Sequence, residues 1–359
     1  MAAGTMTPSP PAGDAAADDA ATGGASTNGG EPLVRVDDLT VDYRNDDQWV
    51  SVVKDVSFSI ARGETLGLAG ESGCGKTTTA LAMFGYHKPG SRVAGGRVTF
   101  DGRDLLGLSD RQMQPIRGAR ISLVPQNPAS TLTPSMKVGR QVVETLEGHG
   151  VSSGSDAMNR TVELFGQVGL PEPAEIARRY PHQLSGGQQQ RVVIAIAIAC
   201  EPDLIVLDEP TTALDVTTQA RLLDLLTHIK GESGMSALYV SHNLGVLEQI
   251  CDRVAVMYAG ELIEIAPTAE LFNRPRHPYT RGLIAAVPRV EAEHAGTEKL
   301  RGLLRRDDLP DGCGFAPRCP YSRPQCFTDP QRLAEIEPWH HVACWRAPDI
   351  EAEAAEATP

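Results

Sequence analysis

The sequence predicts an α/β fold in which a buried parallel sheet carries a phosphate-binding loop at the end of one strand. Three observations lead there. Short apolar runs recur at 65–69, 121–124, 204–207, 237–240 and 254–257, with helical patterns between several of them. Runs with few polar positions and no alternation suit strands covered on both faces, as in parallel sheets flanked by helices. The first run leads into Gly70-Glu71-Ser72-Gly73-Cys74-Gly75-Lys76-Thr77, followed by a helical pattern. The run at 204–207 ends in two carboxylates, Asp208 and Glu209.

Each element has a chemical reason. Residues 70–77 fit G-x-x-x-x-G-K-[ST], in which glycines let backbone N–H groups converge on phosphate oxygens while the following helix presents its positive end. Lys76 is placed to reach the β- and γ-phosphates. The Thr77 hydroxyl is placed to ligate Mg²⁺, and Thr78 to add a phosphate contact. Gly70, Ser72, Gly73 and Gly75 form the cradle. The strand before it and the helix after it separate this loop from a plain Gly-rich turn. A buried strand sets Asp208 beside the loop, where it can hold Mg²⁺ through water, and Glu209 one residue on, where it can polarise an attacking water.

Two further runs, 33–41 and 52–60, are β-rich and flank the polar segment 44–48, a pattern for two antiparallel strands. Residues 127–191 show helical patterns broken by Pro and Gly, and read as a helical insertion. Beyond residue 265 the chain turns rich in Pro, Arg and Cys, a composition for a small loop-rich appendage. The expected organisation is a disordered N-terminal tail over 1–31, a nucleotide-binding domain over 32–265, an extension over 266–348 and a disordered acidic tail over 349–359.

Composition excludes several functions. The 359 residues carry a formal charge of −13 and a pI near 5.2. That balance argues against nucleic-acid binding, which needs a basic face. No apolar run approaches the roughly 20 residues that span a bilayer; the longest is 192–200. The first thirty residues lack the basic start and apolar block of a secretory signal. A membrane role must therefore come through partners, and a reducing compartment with no disulfide framework is expected for the seven cysteines.

Leu184-Ser185-Gly186-Gly187-Gln188, followed by Gln189-Gln190-Arg191 and placed shortly before the Asp-Glu strand, strongly resembles the signature motif of ABC transporter ATPases. The resemblance covers about residues 33–288 and implies an ABC-type nucleotide-binding fold with an antiparallel β-subdomain, a helical subdomain and a small Cys-rich C-terminal extension. It implies ATP and Mg²⁺ as ligands and a head-to-tail pair of subunits in which Ser185, Gly186, Gly187 and Gln188 cover the ATP held by the partner. Tyr43 then matches the aromatic residue that stacks on adenine. A strand aromatic filling the sheet surface is the alternative for Tyr43, and Trp49 is a rival for its role. Gln126 matches the glutamine loop that links Mg²⁺ and water to the permease, Asp215 in Ala213-Leu214-Asp215 the loop crossing between sites, and His242 the switch histidine that senses γ-phosphate. Glu209 would be general base or water-orienting group, and no motif is degenerate. Cys74 inside the loop reads as a tolerated small residue, with sensitivity to thiol reagents as the other reading.

Arg276-His277-Pro278-Tyr279-Thr280, with Leu283 and Pro288, resembles the segment after the motor in dipeptide and oligopeptide importers, shared by nickel importers. Gln126-Asn127-Pro128 and Leu132-Thr133-Pro134 resemble the same group, with Thr131 and Thr133 departing from its usual Ser and Asn. The implied protein is the ATP-hydrolysing motor of a peptide importer at the cytoplasmic face of the membrane. Its implied partners are a homologous but non-identical ATPase subunit, two permease subunits and an extracellular or periplasmic solute-binding protein. A nickel or other solute importer is the nearer alternative, and a soluble ABC ATPase outside transport the more distant one. Cys313, Cys319, Cys326 and Cys344, spaced C-x5-C-x6-C-x17-C, with Pro310, Gly312, Phe315, Arg318 and Pro320, resemble the extension of these importers. Four thiolates can hold a metal. Some relatives hold a [4Fe–4S] cluster there, which is the preferred expectation; zinc and free thiols stay open, and His341 is an alternative ligand.

Overall fold

The computed structural model describes residues 30–212, 215–287 and 309–350. Residues 1–29 and 351–359 of the two expected tails, with Ala213, Leu214 and Pro288, lie outside these residues, whereas Ile350 at the start of the second expected tail is buried. The described chain forms two sheets and eleven α-helices.

The first sheet is antiparallel, in the order β2-β1-β4-β5, built from β1 (Val34–Asn45), β2 (Gln48–Ile60), β4 (Ser91–Phe100) and β5 (Arg103–Asp104). The β1–β2 ladder runs to Asn45 opposite Gln48. The polar residues expected to separate the strands thus join the hairpin, because one face meets water and backbone pairing does not need apolar side chains there.

The second sheet runs β11-β12-β10-β9-β3-β8-β7-β6. Five consecutive strands, out to the β6 edge, are parallel: β9 (Arg253–Tyr258), β3 (Thr65–Ala69), β8 (Ser236–Val240), β7 (Leu204–Asp208) and β6 (Ile121–Val124). Alternate residues feed two cores. Leu204, Val206, Leu238 and Val240 face the core shared with the antiparallel sheet, and Ile205, Leu207 and Tyr239 face the helices. This is the period-two logic of a strand buried on both sides.

The expected all-parallel sheet is corrected at one edge. β10 (Glu261–Pro267), β11 (Ala334–Glu337) and β12 (His340–Val342) add antiparallel strands, so residues of the appendage extend the motor's own sheet. Strand β4, missed in the sequence, holds Gly95 and Gly96 and half-exposed alternation, which masks its pattern. β12 is three residues long, too short for a periodic signal.

Helices α1 (Lys76–Met83), α2 (Asp110–Met113) and α3 (Pro128–Thr131) precede α4 (Val138–Gly148), α5 (Gly154–Gln167) and α6 (Pro173–Ile176). Then come α7 (Gly186–Ile198), α8 (Val216–Ser233), α9 (Leu244–Ile250), α10 (Thr268–Asn273) and α11 (Pro278–Ala285). No strand interrupts residues 128–198. Val142, Val143 and Leu146 of α4 pack in one core cluster with Ala157, Leu164 and Phe165 of α5 and with α7.

Candidate functional site: the carboxyl ends of the parallel strands

β3 ends at Ala69 and the chain turns through residues 70–75 into α1. Two glycines are demanded by geometry. Gly70 takes φ 148°, and a Cβ there would lie 2.3 Å from the Met257 carbonyl oxygen. Gly75 takes φ 112°, with the Val52 carbonyl 3.0 Å from a would-be Cβ. Only a residue without a side chain lets the loop pass so close to neighbouring backbone. Ser72 and Gly73 lie exposed on the outer turn. The ammonium of Lys76 is buried and donates to the carbonyls of Gly70 at 2.8 Å and Glu71 at 2.9 Å.

The carboxylates stand beside the loop. The Thr77 hydroxyl donates to Asp208 Oδ1 at 3.0 Å. Burial pushes the Asp208 carboxyl above its ordinary range, the neighbouring Glu209 charge adds to this, and the Thr77 hydrogen bond opposes it. A buried carboxylate and a hydroxyl, both hard oxygen donors in contact, form a set suited to Mg²⁺. Glu209, with a left-handed φ of 49°, breaks the strand. Its backbone N–H donates to the Val240 carbonyl, which locks the turn to β8.

Three side chains converge on the Glu209 carboxylate. Gln126 Nε2 donates to Oε2 at 2.9 Å, Thr212 Oγ1 donates to Oε2 at 3.0 Å, and His242 Nδ1 lies 3.0 Å from Oε1. Burial raises its pKa, but the hydrogen bonds from His242 and Thr212 and nearby positive charge outweigh that and hold it below its ordinary value. Gln126, Glu209 and His242 come from three separate strand ends, β6, β7 and β8, which the parallel topology brings side by side. Thr212 was not foreseen; its position three residues after Glu209, in a Pro-Thr-Thr turn, is the only signal.

The remaining expected residues fall in two groups. The Tyr43 hydroxyl lies 3.5 Å from Thr78 Oγ1, so its ring borders the loop. Trp49 instead carries the Arg92 guanidinium 4.2 Å over its ring. Cys74 is buried and its thiol pKa is raised by that burial, against the pull of Lys76; a thiol held protonated is a poor nucleophile.

The second group is the signature segment, whose Ser185 and Gln188 form a capping box at the start of α7. Ser185 and Gly186 are exposed, with Gly187 and Gln188 half-buried. A Cβ on Gly187 would meet Thr218 Cγ2 at 3.2 Å, and Thr218 also donates through Oγ1 to Asp215 Oδ2 at 2.7 Å. Asp215, capping α8, and the signature segment therefore adjoin through Thr218 rather than through the phosphate loop.

Most of the chain is similar in sequence to known proteins. Residues 53–212 match the family model described as ABC transporter, and residues 263–326 that described as oligopeptide/dipeptide transporter, C-terminal region. A putative peptide import ATP-binding protein of Brucella melitensis is 43% identical over 306 residues, 85% of this chain and 92% of the relative. The chain belongs to the ABC transporter ATP-binding subunits. Within that family, the dipeptide transport ATP-binding protein DppD of Bacillus subtilis is 42% identical over 88% of this chain and 95% of its own length. The oligopeptide transport protein OppD of Salmonella typhimurium is 42% identical, over 88% and 93%. Among solved structures, the dimeric post-hydrolysis state of the cassette MJ0796 bound to ADP and Pi superposes with TM-score 0.60 at 30% identity, covering 66% of this chain and 99% of that one. Like its family, the chain is an ATPase.

The cysteine expectation fares differently. Cys313, Cys319, Cys326 and Cys344 all line one cavity, and none is in a disulfide. Its free volume is about 20 Å³, room for about one water. Among the described residues no group of three or more His, Cys, Asp or Glu is arranged to hold a metal ion. The expected [4Fe–4S] cluster gains no support from this arrangement, because the walls close on each other. His341 pairs in β12 and is not on the cavity wall. Burial pushes the thiols of Cys313, Cys319 and Cys344 up to about 11.

Proposed function

We infer that this chain is the ATP-driven motor of a peptide importer, working on a membrane permease that belongs to other chains. The observation that carries the motor is the Glu209 carboxylate, held ionised by Gln126, Thr212 and His242 one residue from Asp208. Peptide as cargo is supported by the match of residues 263–326 and by the names of relatives such as DppD and OppD. No helix among the described residues is long and apolar enough to cross a membrane, which suits peripheral attachment to the cytoplasmic face.

The residues divide the work. The backbone of residues 70–78 cradles the phosphates, and Tyr43 offers its ring to the adenine. Lys76 exchanges its two loop carbonyls for β- and γ-phosphate oxygens, a charge-assisted gain. Thr77, Asp208 and Gln126 would hold Mg²⁺, which neutralises phosphate charge when bound. Glu209 accepts the proton of the attacking water, and His242 orients Glu209 and senses the γ-phosphate. Ser185 through Gln188, together with Asp215, serve the ATP of a partner subunit: exposed N–H groups at the start of α7 favour an anion. The unit is thus a dimer of ATPase subunits, here with a homologous non-identical partner, beside two permease chains and a solute-binding protein. ATP closes the dimer and hydrolysis opens it.

Peptide uptake tests the reading. Cells carrying this chain with its neighbouring transporter genes should take up labelled di- to pentapeptides, and lose that uptake with Lys76→Ala. Uptake of nickel but not peptides would move the cargo to the alternative. The resemblance of the Cys313, Cys319, Cys326 and Cys344 spacing carries a finer reading, a [4Fe–4S] centre in the extension. Anaerobically purified protein should then hold roughly four irons per chain. Zinc alone would replace the cluster, and a metal-free chain with four titratable thiols would end the reading.

A further inference from the structure

The phosphate loop is gripped from outside the motor at one residue, Glu71. All three of its polar parts are engaged. Its carbonyl accepts from Lys76 Nζ at 2.9 Å. Its backbone N–H donates to the Tyr279 hydroxyl at 3.0 Å. Its carboxylate takes a fork from Arg318, Nη2 to Oε1 at 3.1 Å and Nη1 to Oε2 at 3.1 Å. Tyr279 lies on α11, and Arg318 lies in the extension, next to Cys319. Each is more than two hundred residues from Glu71 in sequence.

Arg318 is held rigidly. Its side chain is 6% exposed, and Nη1 also donates to the Tyr258 hydroxyl at 3.3 Å. The guanidinium lies 5.7 Å from the ring centroids of both Tyr258 and Phe315. Phe315 packs edge-on to Tyr258 at 5.5 Å and to Tyr279 at 5.4 Å. Tyr258 ends β9, next to Met257, whose carbonyl faces Gly70. One aromatic cluster therefore anchors Arg318 and Tyr279 against the floor of the phosphate loop.

Two physical effects follow. The two peptide planes that meet at Glu71 are both held, one through the Gly70 carbonyl and the Glu71 N–H and the other through the Glu71 carbonyl, so the shape of the loop is set before the ligand arrives. The Glu71 carboxylate also sits beside the place where a highly anionic triphosphate must bind. An unpaired carboxylate there would repel the ligand, and a bidentate guanidinium cancels it with fixed geometry.

We propose that Arg318 and Tyr279 are positioning residues of the ATP site, through which the C-terminal extension sets the shape and charge of the phosphate loop. The motor does not own its phosphate loop; the extension completes it. The proposal rests on residues 70–77 being that loop, and Lys76→Ala tests that premise separately.

The experiment measures binding of a fluorescent ATP analogue, and kcat and KM for ATP, on the full chain in its transporter complex. Thermal midpoints are recorded for every variant. Arg318→Met leaves the Glu71 carboxylate bare and should weaken ATP binding about tenfold, seen mainly in KM, the coupling expected between contacting groups. Glu71→Gln removes the charge and should cost less. The double variant Arg318→Met/Glu71→Gln should recover most of the loss, and Arg318→Lys should lie between wild type and Arg318→Met. Tyr279→Phe, which deletes one hydrogen bond and keeps the ring, should raise KM about threefold. If Arg318→Met does not fold, Arg318→Lys and Tyr279→Phe decide the matter by the same KM shift. Wild-type KM in the folded variants, or losses that follow the thermal midpoint with no recovery in the double variant, overturns the proposal. Normal ATP binding by Lys76→Ala overturns the premise instead.

Discussion

The parallel-sheet motor and the C-terminal extension are held together by opposite means. The motor's strands β3, β7, β8 and β9 are buried at nearly every position, in two continuous apolar cores. The extension is docked mainly by polar anchors and one aromatic cluster. Glu264 of β10, fully buried, accepts from the backbone N–H groups of Arg276 and His277 and lies 2.8 Å from His340 Nε2 of β12. Arg276 pairs with Glu337 of β11, and Arg318 with Glu71. Apolar burial is non-directional and yields stability, whereas a buried polar anchor costs desolvation and yields position. The motor is built for strength and the extension for placement, and its placed residues reach the phosphate loop.

Breaking the chemistry of the motor should leave its architecture intact. Glu209→Gln keeps the shape of the side chain and loses the base, so hydrolysis should fall about 10²–10⁴-fold. ATP binding should persist and a closed dimer should accumulate, checked by single-turnover kinetics and gel filtration with ATP. Wild-type turnover would assign the base elsewhere.

The extension should break at its anchors. His340→Leu leaves the Glu264 carboxylate short of one partner in a fully buried site, and should cost about 3 kcal/mol in urea unfolding. A loss within the usual scatter for surface substitutions would mean that apolar packing carries the joint after all.

Acid should sharpen the same contrast. Burial lowers the pKa of His277 to about 4 from 6.5, against the pull of Glu264. The folded state therefore resists a proton that the unfolded state accepts below pH 6.5. Stability is fully present above that pH and is lost as pH falls toward 4, on the order of 3 kcal/mol in total. His277 Nδ1 accepts from the Tyr279 N–H at the start of α11, so protonation also removes that cap. His277→Asn, which can still cap, should flatten this limb of the stability–pH curve.

The smallest effect is expected inside the motor. Burial and Glu209 disfavour the Asp208 carboxylate in the nucleotide-free chain. Asp208→Asn relieves that cost and keeps an acceptor for Thr77, so the free chain should gain about 1 kcal/mol while Mg²⁺-dependent ATP binding falls. A destabilised Asn variant would show that the charge is already compensated.

Much of the motor was legible because its signals are local. A strand of mostly apolar residues, glycines at fixed offsets, and Asp208 and Glu209 at a strand end each follow from neighbouring residues, and 65–69 and 121–124 emerge as strands with those bounds. The family resemblance marked Gln126 and His242, each just past an apolar run. Their meeting at one Glu209 carboxylate was not legible, because strand order is set by which apolar faces pack together, not by order along the chain. Thr212 escaped for the same reason. β4 and β12 were missed where glycine or brevity erased the alternation, and the open cysteine spacing could not reveal how tightly its cavity closes.

By itself the sequence determined the chemistry: the phosphate loop, the paired carboxylates, the signature turn and the family they mark. Tertiary structure alone decided that β11 and β12 join the motor's sheet and that Arg318 reaches across to Glu71. Residues so far apart in the chain share no pattern. Only the burial of Phe315 against Tyr258 and Tyr279, a contact that pays its entropy once the sheet has formed, brings the guanidinium to the loop.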